Sequence, residues 1–142
     1  MNPSESEINR KIIRKISIMT MKFPLADHLI NDEVEYELKI RGVSSEHDSD
    51  LQSKHRLLRR LFKEDQKEGK EYRSPYYFEQ ELDIVQNRVH NLIAAVEERP
   101  EEKYYSRLRH YYLRVNRAAL KDQESNQIKQ NILQAIISGG IE

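Results

Sequence analysis

The chain has 142 residues, 37% hydrophobic and 34% charged, a balance that fits slim helices with narrow apolar stripes better than a thick sandwich or a doubly wound sheet. Four Gly and four Pro are few for the turns of an all-β protein. The absence of Cys excludes disulfides, thiolate nucleophiles and Cys-based zinc sites, and a formal net charge of zero gives no bulk attraction to nucleic acid or membrane.

The opening residues MNPSESEINRK lack the apolar core of a signal peptide, and no apolar run approaches the roughly 20 residues of a membrane span. The expectation is an intracellular protein, with the nucleus slightly favoured over the cytoplasm. Ser4 and Glu7 have the spacing of a capping box. Ile8, Ile12, Ile16 and Met19 then form a helical stripe flanked by Arg10, Lys11, Arg14 and Lys15. This predicts a helix over 5–21 in an N-terminal segment 1–24, closed by Phe23-Pro24 because the residue before Pro leaves the α region.

A second helix is expected behind a cap at Asn31 or Asp32, with Val34, Tyr36, Leu38 and Ile40 on its buried side and Gly42 as its terminating glycine. After the polar turn 44–50, Leu51, Leu57, Leu58, Leu61 and Phe62 mark a third helix. Together these form a helix-loop-helix unit over 27–66, and the charged stretch with Gly69 and Pro75 predicts a linker over 67–76. The strongest periodicity follows: Phe78, Leu82, Val85, Val89, Leu92 and Val96 alternate spacings of four and three. Pro100 interrupts it, and Tyr104, Leu108, Tyr111, Val115 and Ala118 repeat it. Two long helices joined by so short a turn must run antiparallel. A last helix carries Ile128, Ile132, Leu133 and Ile136, completing a unit over 77–138. The fold class is therefore all-α, with about six helices.

Charge comes in blocks. Residues 10–22 are basic, 27–50 mostly acidic, 54–63 basic, the first arm of the hairpin acidic and 103–121 basic. Acidic and basic hairpin arms are expected to face each other, which disfavours wrong pairings more than it adds stability. Chemistry is not legible. The five His residues (His28, His47, His55, His90 and His110) have no metal-ligand spacing, and there is no nucleophile elbow or Gly-rich phosphate loop. The expectation is a non-enzyme without cofactor, metal or small-molecule substrate.

Two resemblances carry functional expectations. Leu38, Arg41, Gly42 and Val43, followed by Lys54, Leu57, Arg60 and Leu61, resemble the SAP motif, a helix-loop-helix of chromatin proteins. The loop 44–53 is longer than that motif prefers and lacks its glycine, and the first helix is unusually acidic. The resemblance implies DNA binding through Lys54, Arg56, Arg59, Arg60 and Lys63, with help from Arg107 and Arg114. Over about 31–119, the order acidic DEVEYELKIRGV, basic KHRLLRRLFKED, long FEQELDIVQNRVHNLIAAVEE and basic YYSRLRHYYLRVNRA is similar to the N-terminal, pre-capsid region of insect retrotransposon gag-like proteins. That resemblance implies an oligomerisation or adaptor arm. Without a zinc knuckle or a clear major homology region, particle assembly and RNA packaging are not implied.

The leading expectation is self-association or binding of a protein partner through the hairpin face: Phe78, Leu82, Ile84, Val85, Val89, Leu92, Ile93, Val96, Tyr105, Leu108, Tyr112 and Val115. Ile84, Ile93, Tyr105 and Tyr112 widen that face beyond what one hairpin seam needs. Nucleic-acid binding through the basic helix is the alternative.

Overall fold

The computed structural model describes residues 24–44 and 50–139, so the helix expected over 5–21 lies outside the described residues. A short 3-10 turn, Ala26–His28, leads into α1 (Asn31–Ile40) and α2 (Leu51–Glu68). The hairpin follows as α3 (Phe78–Glu98) and α4 (Glu102–Arg117), and a second 3-10 turn, Gln123–Ser125, leads into α5 (Asn126–Ser138). The described residues are all-α, as the periodicity requires, with no strand among them.

Local chemistry places the helix ends. Neither Asn31 nor Asp32 caps α1. Instead the Glu33 carboxylate reaches back and accepts from the Ile30 amide at 3.0 Å. At its far end Gly42 adopts φ 74°, letting the Gly42 and Val43 amides donate to the carbonyls of Lys39 and Leu38, both at 3.0 Å. This is the Schellman arrangement, with Val43 packed beneath it. Asp50 caps α2 by accepting from the Ser53 amide at 2.7 Å. Gly69, at φ 67°, ends that helix. Gln80 closes back on the Tyr77 amide at 2.8 Å to start α3.

The alternating spacing of α3 and α4 appears as burial. Phe78, Val85, Val89, Leu92 and Val96 meet Leu108, Tyr111, Val115 and Ala118, and α5 closes the cluster with Ile132, Leu133 and Ile136. The arms are antiparallel, since the Phe78 amide at the start of α3 donates at 2.8 Å to Ala119, just beyond the end of α4. A second apolar cluster joins Ala26, Leu29, Val34, Leu38, Leu58 and Phe62. Each such side chain contributes about 1.5–3 kcal/mol when fully buried.

The segment expected as a linker over 67–76 begins as helix, since α2 runs to Glu68, and the extended chain that follows is fastened at two points. The Tyr72 hydroxyl donates to the buried Asp65 carboxylate at 2.7 Å, and the Ser74 amide donates to the Arg117 carbonyl at 3.4 Å. The helix-loop-helix unit is likewise bonded to the hairpin, through α1.

Candidate interaction surface

The acidic face of α1 lies against the basic face of α4. Glu33 and Glu37 are both fully buried. Glu33 accepts from Arg107 Nε at 2.9 Å, Arg107 Nη2 at 2.9 Å and the Tyr111 hydroxyl at 2.7 Å. Glu37 sits among Arg117 (3.2 Å), Arg41 (3.1 Å) and His110 (3.3 Å). Burial alone would push the Glu37 carboxyl up, but His110, Arg117 and Arg41 outweigh it and hold it down at about 2. Asp32 pairs with Arg88 of α3 at 2.6 Å. The expectation that the hairpin arms face each other by charge holds at one buried pair, Arg114 with Glu81. Most of the charge matching is instead between α4 and α1, because the seam between the arms is filled by apolar side chains.

This layer redistributes the expected nucleic-acid residues. Arg107 and Arg114 are committed to buried or half-buried carboxylates and present no free basic face on α4. Arg114 also lies over the Tyr36 ring at 4.2 Å. Lys54 is held by Glu35 and Asn31, each at 3.1 Å, and Arg59 pairs with Asp27 at 3.1 Å. Arg56, Arg60 and Lys63 are exposed on α2 without an ion pair among the described residues. Among the histidines, His28 meets the Ser106 hydroxyl and His55 meets the Leu29 carbonyl, both at 2.8 Å. His90 is exposed.

The expected interface residues divide as well. Phe78, Val85, Leu92, Val96, Leu108 and Val115 are spent inside the hairpin and α5, and Val89, also buried, lines a groove between α3 and α5. The reason is that α5 covers what a two-helix hairpin would leave open. Tyr105 and Tyr112 pack against that same core and are half-buried. Ile84 stands exposed by itself on α3.

What remains is a groove between α3 and α5. Leu82, Ile93, Ile128, Ile132 and Ala135 form its apolar walls, with Gln86, His90 and Asn131 among its polar lining, around a volume of about 440 Å³. Ile128, from the apolar stripe of the last helix, is 41% exposed here. A smaller hollow of about 260 Å³ at Ile93, Ala135, Ser138 and Gly139 continues it to the end of α5. No Lys or Arg lines the groove, and the exposed carboxylates of Asp83 and Glu97 lie on the same side of α3 as Gln86 and His90. The α3 wall runs from Leu82 to Ile93, about 16 Å of helix. The α5 half of this site was not anticipated. Its signal was the stripe at Ile128, Ile132 and Ala135, which periodicity alone assigns to core.

No helix of the described residues is long and apolar enough to cross a membrane, and no group of three or more His, Asp or Glu among them could hold a metal ion. No family model, curated protein or solved structure matches the chain.

Proposed function

We propose that the chain is a non-enzymatic helical interaction module that self-associates, the α3–α5 groove of one copy receiving the stripe Ile8, Ile12, Ile16 and Met19 of a second. The observation that carries the reading is the groove itself: an apolar trough between two helices, open along its length, with an acidic and amide margin. The stripe has the matching chemistry. Ile8 to Met19 spans the same number of residues as Leu82 to Ile93 on the groove wall. Its flanks carry Arg10, Lys11, Arg14 and Lys15. Helix-in-groove recognition uses this combination of apolar anchors and complementary rim. The resemblance to a gag-like pre-capsid arm points the same way.

Multi-angle light scattering at tens of micromolar tests the proposal. The wild-type chain is expected to be a dimer or larger, and either Ile93→Glu with Ile128→Glu, or Ile12→Glu with Ile16→Glu, is expected to give a monomer. A wild-type monomer, or an oligomer indifferent to both pairs of substitutions, refutes it. A second reading, DNA binding through the outer face of α2, rests on Arg56, Arg60 and Lys63, exposed and without an ion pair among the described residues. It requires a low-salt gel shift that Arg60→Glu with Lys63→Glu abolishes.

A further inference from the structure

The cations of α4 are not treated alike by the fold. Arg107, Arg114 and Arg117 each end on a carboxylate of another element. Arg109 does not. It is only 8% exposed, its Nε has no acceptor, and no carboxylate pairs with it among the described residues. Its contact is with the ring of Tyr112, 5.2 Å below the guanidinium carbon. Burial, and the like charge of Arg117, hold its guanidinium below the ordinary value. A buried cation without a counter-charge is costly, and folded chains normally supply a partner.

Arg109 opens onto a pocket of about 420 Å³ that it shares with Lys70, Arg73, Asn116 and Arg117. The fold builds this pocket by turning the chain at Gly69 and laying residues 70–73 beside α4, with Tyr72 fastened to Asp65 of α2 and Ser74 to Arg117 of α4. Two of the other cations are partly used. Lys70 meets Glu68 at 3.0 Å on the surface, and Arg117 gives Nη1 to Glu37. Arg73 is exposed and has no ion pair among the described residues. The one carboxylate in the lining, Glu71, is exposed. Four cationic side chains therefore converge on one concavity, and the most deeply buried of them is unpaired.

We propose that this pocket is an anion site for a small phosphate-bearing molecule, with Arg109 as the buried anchor and Arg73 as the outer clamp. Guanidinium groups present a planar fork that matches two phosphate oxygens, and such charge-assisted bonds are the strong ones. The volume admits a phosphate with a modest appended group. A duplex backbone is excluded by shape, since Arg109 lies inside the concavity rather than on a convex face. Leu113 and Tyr72 supply the apolar part of the wall.

The experiment is a titration of the full-length chain with inorganic phosphate and with pyrophosphate, followed by the Arg Nε–H resonances in NMR at matched ionic strength. Matching matters because phosphate salts also stabilise proteins by exclusion from their surface. The Arg109 resonance is expected to shift and saturate, more tightly with pyrophosphate. Arg109→Met retains the hydrocarbon stem and is expected to lose roughly tenfold or more in affinity while unfolding no more readily than wild type without ligand. Arg73→Ala, on an exposed segment, is expected to fold normally and bind several-fold more weakly. Absence of a saturating shift at Arg109 up to tens of millimolar of either anion overturns the proposal. So does binding that survives both Arg109→Met and Arg73→Ala unchanged.

Discussion

Replacing Glu33 with Ala should be among the most damaging single changes to the described fold. Glu33 is fully buried, and its carboxylate holds Arg107, the Tyr111 hydroxyl and the Ile30 amide at the start of α1. Removing it strands Arg107, whose side chain is only 18% exposed, and that alone costs about 3–5 kcal/mol when one partner of a buried pair is lost. Loss of the cap adds roughly 1 kcal/mol. A domain of this size has about 5–15 kcal/mol in total, so the variant should be near the edge of folding. With a urea slope of about 2 kcal/mol/M, the midpoint of equilibrium unfolding should fall by roughly 2–3 M. The double variant Glu33→Leu with Arg107→Leu should recover most of this loss, because no buried charge is then left without a partner. A Glu33→Ala cost below about 1 kcal/mol, or a double variant as unstable as the sum of its parts, would mean that charge does not tie α1 to the hairpin.

Glu37 gives the chain an acid limit. Its folded-state carboxyl is held below the unfolded value, so its contribution is fully present above about pH 4.5 and is lost as pH falls toward 2. A loss of a few kcal/mol over that window, read by urea melts at stepped pH, should shrink markedly in Glu37→Gln. Gly69→Ala places a side chain at φ 67° with nothing within 4 Å of the new Cβ, so the cost should be backbone strain alone, about 1 kcal/mol in thermal or urea unfolding. Ile136→Ala removes a side chain with no exposed surface from the junction of α5 with the hairpin and should cost about 2–5 kcal/mol. Ile128→Ala, on the open groove wall, should leave stability within roughly 1 kcal/mol.

Much of the local structure was legible from residue order alone. The alternating seam of α3 and α4 specifies two helices, and Pro100 with its short turn specifies that they run back on each other. Gly42 marks its helix end because a left-handed residue is needed there. The cap of α1 was not legible, since it comes from Glu33, a side chain already held by α4. Periodicity says that a face is buried but not against what. It could not show that α5 covers the hairpin seam and leaves an apolar groove between α3 and α5. Charge blocks behave in the same way. Residue order makes α1 acidic and α4 basic, but that the two meet is a property of the assembled fold. Contact with α1 consumes Arg107 and Arg117, Glu81 of α3 takes Arg114, and Arg109 is left buried without a carboxylate among the described residues. Helix formation depends on neighbours three and four residues away, while the pairing of a charge depends on which distant element reaches it.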